Sequence, residues 1–162
     1  MCIRDSTTKV RLYTDGSAIG NPGPGGYGLI LEWVGKNYFK ECSAGFKRTT
    51  NNRMELLAVI VGLEMLKIQP MNVTVISDSK YVVDAVNKKW LFQWEKKGFK
   101  EKKNVDLWKR FLKIYHRHHV NFQWIKGHND HPQNERCDHL AVRAAKGKIL
   151  LSDSYYEKSQ RN

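Results

Sequence analysis

Val10, Leu12 and Thr14 alternate with Arg11, Tyr13 and Asp15, the two-residue period of a strand with one buried face. The run ends in Asp15-Gly16-Ser17. Gly20-Asn21-Pro22-Gly23-Pro24-Gly25-Gly26 follows and is dense in turn formers. Tyr27 to Val34 and Tyr38 to Phe46 read as two further strands, joined by Gly35-Lys36-Asn37 as a hairpin turn. From Arg53 to Lys67 the period changes to that of a helix, with Met54, Leu57, Ala58, Val61 and Met65 on one stripe. Thr50, Asn51 and Asn52 supply the capping residue types, and Pro70 stops the run.

Val73 to Ser77 is short and β-branched, the mark of a strand buried on both faces. It ends in Asp78, and Ser79 can cap a helix through Tyr81, Val82, Ala85 and Val86. Val105 to His118 is helical in period. Val120 to Ile125 alternates as a fifth strand, and a last helix is expected from Asn134 to Lys146. The order predicts an α/β fold with a five-stranded mixed sheet flanked by helices. Its first three strands should form antiparallel hairpins, and the later ones should run parallel to the first.

A chain of 162 residues suits one compact domain. The expected division is a flexible polar leader over 1–8, a catalytic domain over 9–146 and a polar tail over 147–162. No apolar run approaches the ~20 residues of a membrane span, so no membrane partner is expected. Lys and Arg number 28 against 16 Asp and Glu, a net charge of +12. That excess points to a polyanionic partner. It is densest between Lys88 and Lys103, where seven lysines (Lys88, Lys89, Lys96, Lys97, Lys100, Lys102, Lys103) interleave with Trp90, Trp94 and Phe99. The lysines should face solvent while Trp94 and Trp108 pack inward. Cys2, Cys42 and Cys137 are odd in number and widely spaced, which fits a reducing, cytoplasmic setting rather than a disulfide framework.

Asp15 and Asp78 each end a predicted strand, on the edge where open α/β sheets bind ligands. Glu55 lies early in the first helix and Asp138 early in the last, so both can face that edge. Four converging carboxylates would raise one another's pKa unless a cation compensated. An oxygen-only set selects hard cations such as Mg2+ or Mn2+. Four carboxylates suffice for two ions ~4 Å apart, the arrangement of in-line phosphoryl displacement. By spacing alone an aspartate at a strand end is more often a turn former or helix cap than a metal ligand. His128, His131, Cys137 and His139 are close in sequence, but their spacing fits no common zinc site.

The local sequences are more specific than the spacing. Tyr13-Thr14-Asp15-Gly16-Ser17 with Gly20 to Gly28 resembles the opening of bacterial type I ribonuclease H. So do Thr49-Thr50-Asn51-Asn52-Arg53-Met54-Glu55-Leu56, Ser77-Asp78-Ser79-Lys80-Tyr81-Val82, Asn104-Val105-Asp106-Leu107-Trp108, Trp124-Ile125-Lys126-Gly127-His128 and Asn134-Glu135-Arg136-Cys137-Asp138. The motifs stand in family order and cover about Val10 to Ala145. The resemblance implies an endonuclease that cuts the RNA strand of RNA–DNA hybrids with two Mg2+ ions (Mn2+ substituting), leaving 5′-phosphate and 3′-hydroxyl ends. It places the catalytic, metal-holding acids at Asp15, Glu55, Asp78 and Asp138, and a mobile-loop histidine for proton transfer or product release at His128.

By family position the hybrid is contacted by Gly16, Ser17, Asn21, Thr50, Asn51, Asn52 and Lys80, and by a basic protrusion represented here by Lys88, Lys89, Trp90, Lys96, Lys97 and Lys100. The family often carries glutamine where this chain has Lys80 and cysteine where it has Ala18. Lys80 can donate but not accept, so its contact with the hybrid should differ from the family's. A monomer is expected. Rival readings are a same-fold transposase or resolvase, a non-catalytic hybrid-binding module, and a domain of a reverse transcriptase. The first needs further domains, the second is at odds with four intact acids, and the third often lacks the basic protrusion.

Overall fold

A computed structural model describes residues 9–127 and 131–160. The polar leader therefore lies outside the described residues, as does the His128 position. The elements are β1 (Lys9–Ala18), β2 (Gly23–Trp33), β3 (Tyr38–Thr49), α1 (Asn51–Glu64), β4 (Asn72–Ser77), α2 (Lys80–Asn87), α3 (Trp90–Lys96), α4 (Val105–Tyr115), β5 (His119–Trp124), α5 (Pro132–Ala145) and α6 (Ser154–Ser159). The strands form one five-stranded sheet in the order β3-β2-β1-β4-β5. β1, β2 and β3 pair antiparallel, while β4 and β5 join parallel to β1, as the connections required.

Alternation along β1 divides the core into two layers. Val10 and Leu12 belong to the large cluster with Met54, Leu57 and Trp108. Tyr13 belongs to a smaller cluster with Ile30, Ile76, Ile125 and Cys137. α1 packs on the first face with α2 and α4, and α5 on the other. α1 is buried on nearly every side, from Met54 through Leu63, so it is the central helix of the larger layer.

The start of β2 departs from the periodicity. β2 starts at Gly23 rather than Tyr27, because Gly25 and Gly26 pair with Ala18 and Ser17 of β1 and with Phe46 and Gly45 of β3. Gly20 lies in the turn as expected, but Gly23, Gly25 and Gly26 are strand residues, and Gly26, with Gly28 beyond it, admits a helix at close range. A Cβ at Gly28 would lie 2.4 Å from the carbonyl oxygen of Cys137, and one at Gly26 2.5 Å from that of Ala141. α5 thus rests directly on the backbone of β2.

The tail beyond Gly147 is also built into the fold. Leu151 donates to the Gly45 carbonyl at 2.8 Å and accepts from Lys47 N–H at 2.8 Å. This contact covers part of β3, an edge strand. α6 follows, preceded by the buried Asp153.

Candidate active site

Strand pairing positions the first carboxylate. The parallel ladder between β1 and β4 ends at Tyr13 and Ile76. Beyond it the strands part, and Asp15 stands just past the last pair, with Asp78 one residue past the end of β4. Ser77 and Ser79 shape that turn: Ser79 N–H donates to Ser77 Oγ at 3.0 Å, and Ser79 Oγ accepts from Val82 N–H at 3.3 Å to cap α2.

Glu55 arrives from α1. Thr50 caps that helix, its hydroxyl accepting from Arg53 N–H at 3.2 Å. Gly16 lets the helix reach the strand: a Cβ there would lie 2.3 Å from the Glu55 nitrogen and 2.4 Å from the Met54 carbonyl carbon. Asp15, Glu55 and Asp78 each bring a carboxylate oxygen within 4.8 Å of the others. Asp138 comes from α5. Asp15 lies opposite Gly28 in the β1–β2 register. Gly28 in turn touches Cys137, the neighbour of Asp138. Asp138 hydrogen-bonds to Asp15 and flanks that carboxylate; it is not one of the mutually close three.

The cluster's electrostatics are those of crowded, buried acids. Asp15 is pushed up to about 8, first by burial, then by the Asp78 charge and by its hydrogen bond to Asp138. Glu55 is held well above the usual carboxylate range by burial and by Asp15 and Asp78. The Gly16 backbone amide favours the ionised form of both but does not offset the rest. Glu55 Oε1 is buried with no hydrogen-bond partner. A buried, unpaired carboxylate oxygen among three acids fits a hard divalent cation, whose charge would compensate all of them. The zinc alternative finds no support among the described residues. Cys137 is buried with Sγ donating to the Tyr13 carbonyl at 3.3 Å, whereas His139 is exposed.

The predicted contact residues form two groups. Asn21, Thr50, Asn51 and Asn52 gather at the N-terminus of α1. Asn51 Oδ1 accepts from Ala18 N–H at 2.6 Å, and Asn21 Oδ1 accepts from Asn51 N–H at 2.9 Å. Both carboxamide oxygens are thereby engaged, so the NH2 groups are what these residues can offer a ligand. Beside Asn21, Thr50 and Asn52 lies a cavity of about 610 Å³, also lined by Lys102, Lys103 and Tyr155. Gly16 and Ser17 lie at the end of β1, between this group and the carboxylates.

The second group stands on α3, the turn before it and the turn after it. Lys88, Lys89, Lys96, Lys97 and Lys100 are all exposed. Lys88 Nζ lies 5.2 Å from the centre of the Trp90 ring. Trp108 is fully buried and Trp94 half-buried, packed edge-on at 5.9 Å.

The residue patterns did not single out Arg53 or Trp124. Arg53 is 2% exposed and binds Asp106 and Asp153 together. The one signal for it was a charged residue inside an apolar helical stretch. Trp124 bridges Asp78 and Lys80.

The RNase H family model matches residues 7–146. A ribonuclease H of Lachnoclostridium phytofermentans is 56% identical over 158 residues, covering 92% of this chain and 99% of that one. A ribonuclease H of Desulforamulus reducens is 54% identical, covering 90% and 92%. Among solved structures, LC9-RNase H1, described as a type 1 RNase H with the type 2 active-site motif, is similar at a TM-score of 0.79 and 32% identity, over 97% of this chain and 83% of that one. LC11-RNase H1 in complex with an RNA/DNA hybrid gives 0.63 and 31%, over 85% and 96%. The chain belongs to the RNase H family, as a ribonuclease H of the bacterial type I kind.

Proposed function

We propose that this enzyme hydrolyses the RNA strand of RNA–DNA hybrids by two-metal-ion phosphodiester cleavage, leaving 5′-phosphate and 3′-hydroxyl ends. The observation that carries the reading is the convergence of Asp15, Glu55 and Asp78 within 4.8 Å, with one Glu55 oxygen buried and unpaired. Similarity to an enzyme solved with an RNA/DNA hybrid supports the choice of substrate.

Asp15, which is close to Glu55 and Asp78 and interacts with Asp138, would be the ligand shared between the cations, with Glu55 and Asp78 completing the oxygen shell and Asp138 holding its outer side. Mg2+ is the cation we assign, with Mn2+ able to substitute. When bound, such ions lower the pKa of a water and neutralise charge at the scissile phosphate. His128, which lies outside the described residues, is assigned proton transfer or product release.

Gly16 and Ser17, with the amides of Asn21, Asn51 and Asn52 and the Thr50 hydroxyl, line the approach to the acids. There they can meet 2′-hydroxyls and phosphates of the shallow minor groove. Lys88, Lys89, Trp90, Lys96, Lys97 and Lys100 supply phosphate attraction. We assign catalysis to residues 9–146, working as a monomer. Two unpaired thiols, Cys42 and Cys137, suit the reducing cytoplasm. Among the described residues no helix is long and apolar enough to cross a membrane.

Cleavage of an end-labelled hybrid with Mg2+ tests the reading. Wild type should cut the RNA strand and leave free RNA and duplex DNA intact. Asp15→Asn should lose more than about 100-fold, since even groups behind the metal ligands are worth ~10–100-fold. An uncut hybrid, or equal cutting by Asp15→Asn, overturns it.

A further inference from the structure

Trp124 closes β5 next to the acidic cluster and keeps 42% of its surface exposed. A large aromatic group left open beside a catalytic edge needs a reason. Two contacts supply one. The indole N–H donates to the main-chain carbonyl of Asp78 at 3.1 Å, which ties the end of β5 to the turn carrying a metal-binding acid. The ring then supports the ammonium of Lys80, whose Nζ lies 4.9 Å from its centre. Lys80 is the first residue of α2, two positions after Asp78, and is itself exposed. A cation is thus held in a defined place at the rim of a site built to handle phosphate.

The chemistry of that cation limits what it can read. An ammonium offers three donors and no acceptor. It is a compact point charge, suited to a phosphate oxygen and poorly suited to the donor-and-acceptor contacts a carboxamide makes. A cation–π contact at an exposed site is weak, so Lys80 can exchange the ring for a phosphate or touch both.

We propose that Lys80, seated on Trp124, is a specificity-determining residue that grips one RNA-strand phosphate adjacent to the scissile one. Trp124 is the positioning residue that sets where the ammonium stands. The proposal rests on the reading that the carboxylate cluster cuts the RNA strand, because that reading puts the RNA backbone at Asp78. It means that at this position the chain meets the RNA strand through charge rather than through a donor-and-acceptor pair.

The test uses the full chain in an Asp15→Asn background, where binding is measured without cleavage. Fluorescence anisotropy follows a labelled hybrid across a salt series. Adding Lys80→Gln should flatten the slope of log affinity against log salt by about 1, so the affinity gap between the two proteins closes about tenfold per tenfold rise in salt. Lys80→Arg should restore the slope. A scan of single neutral methylphosphonates should find one RNA-strand position, beside the cleavage site, that weakens the lysine protein and leaves Lys80→Gln untouched. Trp124→Phe keeps an aromatic face without the indole N–H and should retain that sensitivity, whereas Trp124→Leu should spread it over neighbouring positions.

The proposal is overturned if Lys80→Gln leaves the slope unchanged. It is also overturned if the sensitive phosphate lies on the DNA strand, or if single 2′-deoxy substitutions rather than methylphosphonates distinguish the two proteins. Lys80 is exposed, so its variants should fold normally, and matching unfolding curves check this. If wild type fails to cut hybrids at all, the underlying reading is wrong; if it cuts and the slopes agree, only the assignment to Lys80 is.

Discussion

Arg53 and Asp153, a hundred residues apart, form a buried ion pair in which Arg53 Nε donates to Asp153 Oδ2 at 2.7 Å. Arg53 Nη2 adds a second bond to Asp153 Oδ1 at 2.9 Å. The rest of the guanidinium pairs with Asp106 at 2.8–2.9 Å. The Thr49 hydroxyl donates to Asp153 Oδ2 at 2.6 Å. One residue of α1, two positions before Glu55, therefore fastens α1 to the start of α4 and to the tail.

Removing Asp153 should destabilise the protein through that cluster. Breaking a buried pair costs ~3–5 kcal/mol when the remaining charge is left alone. Arg53 keeps Asp106, so Asp153→Ala should fall at about 2–3 kcal/mol in urea denaturation. A loss below about 0.5 kcal/mol, the ordinary range of a surface substitution, would mean that the tail is not fastened by this pair.

Gly16→Ala tests the contact that sets Glu55. The added methyl would meet backbone atoms of Glu55 and Met54 at 2.3 and 2.4 Å. Backbone yields less readily than a side chain, so α1 must shift. We expect a loss of about 1–3 kcal/mol. We also expect Mn2+ affinity, measured by calorimetry, to fall by about tenfold or more, as it does when a ligand's support is disturbed. Unchanged affinity in a folded variant would show that Glu55 tolerates displacement.

Protons and metal should compete for the acids. Asp15 titrates near 8 when no cation is present, against 3.8 for an ordinary aspartate. Its folded pKa is raised, so the folded state holds more protons between these values. Stability falls as pH rises wherever the folded state binds the extra proton. With EDTA present, the melting temperature should therefore drop as pH climbs from about 4 towards 8. Mg2+ must displace that proton, so its stabilising effect should be larger at about pH 8 than at about pH 6. Melting curves in EDTA that stay flat across this window would contradict the raised value.

The lysines after α2 and α3 should act on binding rather than chemistry. Lys96, Lys97 and Lys100 are exposed, with no acid among the described residues within salt-bridge distance. Replacing all three with alanine should flatten the salt dependence of hybrid affinity by about 1 for each phosphate that is no longer neutralised. At saturating hybrid, kcat should stay within about twofold, because uniform binding does not alter the chemical step. A fall in kcat at unchanged affinity would reassign them.

Much of the fold was legible because its elements are short-range patterns. The strands Val10 to Asp15 and Val73 to Ser77 and the cap Ser79 came directly from period and capping chemistry, and the run Thr50 to Asn52 contained the cap of α1, which the structure places at Thr50. Where the pattern misled, a longer-range contact was responsible. Gly23 to Gly26 carry turn-forming residues, yet they lie in β2 because β1 and β3 pair with them and α5 needs room above Gly26. The tail reads as polar surface, yet Asp153 is buried because Arg53, far off in sequence, requires a second partner.

The same division holds at the site. Sequence alone determined which carboxylates to watch, since Asp15, Glu55, Asp78 and Asp138 stand in recognisable local motifs at strand ends and helix starts. It also determined the basic stretch, because charge is a property of composition. Only the tertiary structure decided that Asp15, Glu55 and Asp78 meet within 4.8 Å while Asp138 flanks Asp15. It alone brought Trp124 to Lys80 and Asp153 to Arg53. Local propensity is set by neighbours a few residues away. Those distances are set by strand order and by how closely helices settle on glycine, and both are settled only when the whole chain packs.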